Sequence, residues 1–167
     1  KRKVIRATGN TVFGIDAARL LRAVRLAAEL DFTISQETEA LVRQNSHLIT
    51  TVAGERVREE LLRILAMPRA GQLLAYLDKL GILITLIPEL ASAKGVSQPK
   101  IHVWDVFEHS IQIVSAVAFL LREGTWEYAG EEVLTAVPWS ARLSQHFDQE
   151  VSTSSTRKSL LKLAALF

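Results

Sequence analysis

Apolar residues recur along most of this 167-residue chain at the three- and four-residue spacing of helices, and seldom with the alternation of strands. Leu20, Val24, Ala27 and Ala28 follow the i, i+4, i+7, i+8 spacing of one buried face, predicting a helix from about Asp16 to Leu30. Asp16 stands at its start, where a carboxylate can cap free amides and complement the helix dipole. A second helix begins near Ser35, an N-cap residue followed by Glu37 and Glu39, and runs to about Leu48. A third covers Gly54 to Ala66, with Val57, Leu61, Ile64 and Leu65 on one face. Pro68 ends it and opens a fourth, which runs to Leu80 before Gly81. Ile82 to Leu90 is apolar and broken by Pro88, which fits a short helical turn or a buried connection. Val96 to Lys100, with Pro99, reads as a linker, and a fifth helix spans Val103 to Arg122, stopped by Gly124.

Elsewhere the pattern is weaker. Val4 and Ile5, flanked by bases, fit the end of a strand, and Gly9-Asn10 and Gly14 punctuate a loop. Two short helices are expected around Glu131 to Ala136 and Trp139 to Phe147, and Val151 to Thr156 reads as a polar, mobile linker. Leu160 to Phe167 has the pattern of an amphipathic helix with no Gly, Asn or Pro stop signal. The first residue is Lys and the only methionine is Met67. The expectation is an all-α section of a longer protein: a four-helix unit to about residue 95, then the opening of a second helical domain.

Composition narrows the function classes. The chain is 49% hydrophobic and 23% charged, which excludes disorder throughout. Zero cysteines exclude a disulfide scaffold, a thiol nucleophile and a Cys-bearing zinc site. No apolar run approaches the ~20 residues of a membrane span, and a cytoplasmic setting is expected. The net charge of +2 conceals an asymmetry. Residues 1–70 hold twelve Lys/Arg against eight Asp/Glu, and residues 71–167 hold eight against ten. Clustered arginine at one end fits contact with phosphates, or equally a solvated basic face.

The chemistry-bearing run is Asp16-Ala17-Ala18-Arg19-Leu20-Leu21-Arg22-Ala23-Val24-Arg25. At about 100° per residue, Asp16 and Arg19 share a helix face, and Arg22 lies about 60° further round. This can be an ordinary i,i+3 ion pair worth only ~0.3–0.5 kcal/mol. It can also read a nucleobase edge, because a carboxylate accepts from an exocyclic amine while a guanidinium donates to ring nitrogen or carbonyl oxygen.

The run from Ile15 to Phe32 resembles the segment that follows the catalytic head in bacterial tRNA nucleotidyltransferases and poly(A) polymerases, roughly E-D-P-x-R-x-L-R-A-x-R-F-A-x-x-x-G-F. Downstream, Gly54-Glu55-Arg56-Val57-Arg58-Glu59-Glu60-Leu61 resembles that family's E-R-I-R-x-E-L. Ile87-Pro88-Glu89-Leu90 resembles its L-x-P-E-L. Asp105-Val106-Phe107-Glu108-His109-Ser110 resembles the D-V-F-x-H-T/S that opens its HD-type domain. The four motifs occur in the family's order over about residues 1–120. The resemblance implies that residues 1–14 end a nucleotidyltransferase head, 15–95 form a neck and body that bind nucleotide and RNA, and 96–167 begin an HD-like domain. Asp16 and Arg19 fall on the positions that pair with the base of CTP or ATP, with Arg22 near the nucleotide or primer end. Arg25, Arg56 and Arg58 are implied as RNA contacts, with Glu55, Arg56 and Arg58 supporting the neck helix. The partners implied are the 3′ end of tRNA or another RNA, together with CTP and ATP.

Departures from the family pattern are local. The Glu before Asp16 is Ile15 and the following Pro is Ala17, while Leu26 replaces Phe and Asp31 replaces the Gly before Phe32. No Asp-x-Asp pair occurs in the chain. In this family the Mg2+ ions that neutralise charge and activate the 3′-hydroxyl belong to the head. No catalytic residue is therefore expected here, and the section alone is expected to be inactive. His109 shares a helical stripe with Val106, Ile113 and Leu120, which fits a core histidine. The resemblance makes it the first divalent-metal ligand of a complete HD domain. His102 and Asp105 fit ordinary surface groups. Two further function classes fit the same residues: an HD metal-dependent phosphohydrolase with a diverged neck, and a non-catalytic helical RNA-binding module.

Overall fold

The computed structural model describes residues 3–97 and 103–167. Lys1, Arg2, His102 and positions 98–100 of the expected linker lie outside the described residues. Helices dominate, with two very small sheets. Two compact units divide the chain: Lys1–Leu61 with Leu73–Ala93, and Leu62–Gln72 with Lys94–Phe167.

The first unit begins with β1 (Val4–Ile5), α1 (Val12–Ile15) and α2 (Arg19–Glu29). β2 (Thr33–Ile34), α3 (Gln36–Asn45) and a 3-10 segment (Ser46–Thr51) follow. α4 (Gly54–Leu65) and α5 (Ala70–Lys79) each run across the division between the units. α6 (Leu83–Leu86) and a second 3-10 segment (Pro88–Ala93) complete the first unit. β1 pairs in parallel with β2, Val4 opposite Thr33 and Ile5 opposite Ile34. The strand expected at Val4 and Ile5 thus has a two-residue partner, too short to show alternation in the sequence.

α2 buries Leu20, Leu21, Val24, Arg25 and Ala27. It starts at Arg19, one turn's length later than its pattern implies, and Ala18 occupies the N-cap without a side-chain bond. Asp16 lies in the preceding turn, where its Oδ1 accepts from the Ala18 amide at 3.2 Å. The other end closes through Asp31, whose φ of 52° is left-handed. There the Phe32 amide donates to the Ala27 carbonyl at 2.8 Å, the six-to-one bond of a Schellman ending. This is the position where the family pattern has glycine, the residue that adopts such a φ without a Cβ penalty. Leu20, Leu21, Ile49, Leu74, Leu77, Leu80, Ile82 and Leu83 are fully buried in this unit. Each such side chain contributes roughly 1.5–3 kcal/mol of burial.

The second unit is organised by α7 (Val106–Leu120). Asp105 is its N-cap, accepting from the Glu108 amide at 2.7 Å and from the Gly95 amide at 2.7 Å. α8 (Glu131–Ala136) and α9 (Ala141–Asp148) bury none of their residues. β3 (Glu150–Ser152) and β4 (Ser155–Thr156) form an antiparallel hairpin leading into α10 (Arg157–Ala164). The stretch Val151 to Thr156, expected to be a mobile linker, is therefore ordered. Its hydroxyls explain why: Ser152 and Ser155 Oγ lie 2.7 Å apart, and Thr156 and Ser159 form a reciprocal capping box. Lys162 of α10 is fully buried, donating to the Met67 carbonyl at 2.9 Å and to Glu123. Lys158 binds Glu123 and Asp148, each at 2.9 Å. Among the described residues no helix is long and apolar enough to cross a membrane.

Candidate nucleotide and RNA site

The first unit aligns the charges of α2 with those of α4. Arg56 Nη2 donates to both carboxylate oxygens of Asp16 at 3.0 Å. Arg19 Nε lies 3.8 Å from Asp16 Oδ2 on the other side. One turn further along, Arg22 Nε donates to Glu60 Oε1 at 3.0 Å, and Arg25 Nε donates to Glu60 Oε2 at 2.6 Å. Arg25 Nη1 also donates to Glu29 at 2.6 Å. The spacing explains the pairing, because residues 56 and 60 are one helical turn apart and share a face.

The two levels differ in exposure. Asp16, Arg19 and Arg56 keep 24%, 44% and 50% of their side-chain surface in water, whereas Glu60 and Arg25 keep 7% and 9%. The Arg56 hydrogen bonds hold the Asp16 carboxyl below its ordinary range, so Asp16 is an acceptor near neutrality. Burial pushes the Glu60 carboxyl up, but the hydrogen bonds and charges of Arg25 and Arg22 outweigh it, and its net shift is downward. Burial likewise works against the charged form of Arg25, and its bonds to Glu60 and Glu29 raise it above the ordinary arginine value.

Asp16 and Arg56 line a groove of about 210 Å3, with Ile15, Thr51 and Val52 beside them. Ile15 is 73% exposed there. Arg19 and Arg22 line a separate groove of about 280 Å3 that also contains Arg6. Asp16 and Arg19 thus line different grooves, 3.8 Å apart at their nearest charged atoms. Arg58 is exposed and forms no ion pair among the described residues. Arg25, expected as an RNA contact, is buried with its donors on two carboxylates, so it acts on this surface only by fixing Glu60. Glu60 was not anticipated as a site residue, and Arg6 was anticipated only as one of the clustered basic residues near the start of the chain. Glu60 carried a usable signal, a carboxylate beside Leu61 on the same apolar face as Val57 and Ile64, where an unpaired charge is rare.

In the second unit, His109 lies on α7, half-buried, with its ring centroid 6.3 Å from that of Trp104. Among the described residues no three His, Cys, Asp or Glu side chains are grouped to hold a metal ion. Asp105 is occupied as a helix cap.

A family model described as "Probable RNA and SrmB- binding site of polymerase A" matches residues 31–94. An A-adding tRNA nucleotidyltransferase of Deinococcus radiodurans is 36% identical over 117 residues, which is 67% of this chain and 27% of that protein. A CC-adding tRNA nucleotidyltransferase of Thermus thermophilus is 37% identical over 141 residues, 81% of this chain and 32% of that protein. This chain belongs to the tRNA nucleotidyltransferase and poly(A) polymerase family. It spans about a third or less of the length of those two relatives. A solved structure described as "Structure of tRNA-processing enzyme complex 3" shares its fold over 98% of this chain and 40% of that one, with a TM-score of 0.53 and 22% identity.

Proposed function

We propose that this chain is the nucleotide-reading and RNA-binding section of an RNA 3′-end nucleotidyltransferase. The observation that carries the reading is the Asp16–Arg19 pair at the start of α2, half open to solvent and braced by Arg56 from α4. Both cytosine and adenine present an exocyclic amine beside a ring-nitrogen acceptor. The Asp16 carboxylate accepts from the amine and the Arg19 guanidinium donates to the ring nitrogen, so one pair of side chains serves CTP and ATP. Guanine and uracil present a carbonyl where the amine should be, and it would face a carboxylate with no proton between them. Arg56 contributes by fixing the carboxylate, which would otherwise sample several rotamers. Exposed Arg58 and the partly exposed Arg22 supply positive charge for the RNA backbone.

The divalent ions of nucleotidyl transfer would be expected to neutralise charge on the nucleotide phosphates. The described residues offer no carboxylate cluster that fits them, and His109 alone is not such a site. What these residues do is select and orient. The test is nucleotide choice in the full-length enzyme carrying Asp16→Ala. Discrimination of CTP and ATP against GTP and UTP should fall by about tenfold or more, the scale of a two-point base contact. Unchanged discrimination would overturn the reading.

A further inference from the structure

Arg6, Arg19 and Arg22 stand around one groove of about 280 Å3 between the end of β1 and the outer face of α2. Between these cations the wall is small or apolar, with Val12, Ala23 and Leu26 at its surface and Phe13 buried. Arg6 is exposed, yet its backbone is fixed on both sides. β1 pairs with β2 just before it, and the Ala7 amide after it donates to Thr38 Oγ1 at 2.9 Å. Arg6 forms no hydrogen bond among the described residues, and the acid it acts on is exposed Glu37. Glu60 takes only the Nε of Arg22, and Arg19 has only its long contact with Asp16.

Three guanidinium groups around an apolar floor complement a ligand that carries an anionic group on a flat, weakly polar body. Thr8 and Thr38 add two hydroxyls at the groove's edge, and Thr38 Oγ1 already accepts from the Ala7 amide and Ser35 Oγ; the groove holds no carboxylate to pair with a base edge, in contrast to Asp16. A base held here is held by its face, and every base has one. We propose that this groove seats one nucleotide of the RNA strand, its phosphate between Arg6 and Arg22 and its base or ribose against Val12, Ala23 and Leu26, without reading base identity. The proposal rests on the RNA-binding reading above and adds Arg6 and a second, sequence-indifferent subsite to it. A free nucleoside triphosphate shares the same chemistry, so the two sources must be separated by experiment.

Fluorescence anisotropy of the 167-residue chain with a short labelled single-stranded RNA makes that separation. Arg6→Ala should weaken RNA binding about tenfold, the scale of one charge-assisted phosphate contact. It should also lower the log–log salt slope by about 0.7, as expected for one lost phosphate neutralisation on a single strand. Arg6→Lys should restore the slope. Ala23→Glu, which places a carboxylate on the groove wall, should weaken binding too, and the losses should be alike for C-rich and A-rich RNA. Unlabelled CTP or ATP should not displace the RNA. If Arg6→Ala and Ala23→Glu both bind RNA like the unaltered chain, the groove proposal falls while the RNA-binding reading stands. Displacement by CTP or ATP that depends on Arg6 would overturn it in favour of the free nucleotide. No RNA binding by the unaltered chain would contradict the RNA-binding reading itself.

Discussion

The first unit carries Asp16, Arg19, Arg22 and Arg56 at a rim, each with between 24% and 50% of its side-chain surface in water. The second unit carries Lys162 with none of its side chain exposed, held by Glu123 and the Met67 carbonyl. Exposed pairs contribute roughly 0–1 kcal/mol to folding, so folding does not account for the alignment at the rim. The proposed base-reading role would account for it, because half-solvated charges can exchange partners with a nucleotide. The sealed lysine has no such freedom. Its attraction to Glu123 offsets a desolvation cost of several kcal/mol, and removing one partner exposes that cost. Glu60 and Arg25 lie between these extremes, a buried pair that anchors the exposed level beside it.

The comparison is most sharply tested by mutating the sealed lysine. Lys162→Ala should destabilise the protein by about 3–5 kcal/mol, because Glu123 and the Met67 carbonyl lose a buried partner. Urea denaturation measures this, and a loss below about 1 kcal/mol would show that the site is wet.

Glu60→Gln should cost about 2 kcal/mol, since the buried Arg25 keeps only Glu29 as an ionised partner. The effect has a defined pH window. The Glu60 carboxyl titrates below its ordinary value of 4.5, so its stabilisation is fully present above that pH and is lost as pH falls through the folded value. Melting curves between pH 7 and pH 3 should therefore show the variant and the unaltered chain converging in acid.

Asp31→Gly should stabilise by about 0.5–1 kcal/mol, because Asp31 holds a φ of 52° that glycine adopts more freely. A lower melting temperature would contradict the Schellman assignment. Asp16→Ala should change stability least, by no more than about 0.5 kcal/mol, because its pairs are solvated.

The helical scaffold was legible where periodicity was long. α3 lies close to its patterned position because the Ser35 cap and the helical spacing mark the same start, and α4 because its apolar stripe is long; α7 starts at Val106 instead of Val103 because Asp105, read as a surface group, caps it. Two-residue β2 left no pattern, and the β3–β4 hairpin was hidden because serine and threonine serve equally in loops, turns and caps. The candidate site was legible as a motif but not as a network. Helix geometry places Asp16 beside Arg19, whereas the Asp16–Arg56 and Arg22–Glu60 pairs join residues 40 and 38 positions apart. Such pairs depend on how α2 meets α4, which spacing along one helix does not contain. The burial of Arg25 follows from the same meeting. Its neighbours Leu21 and Val24 face the interior, and the guanidinium follows them because Glu60 is there to receive it.

The central claim is that Asp16 and Arg19 read the base of the incoming nucleotide, and steady-state nucleotide competition in the full-length enzyme tests it most directly. With Asp16→Ala, the ratio of kcat/KM for CTP and ATP over that for GTP and UTP should fall about tenfold or more, with KM for the RNA unchanged. A variant that keeps the original ratio, or loses RNA affinity in its place, would contradict the account.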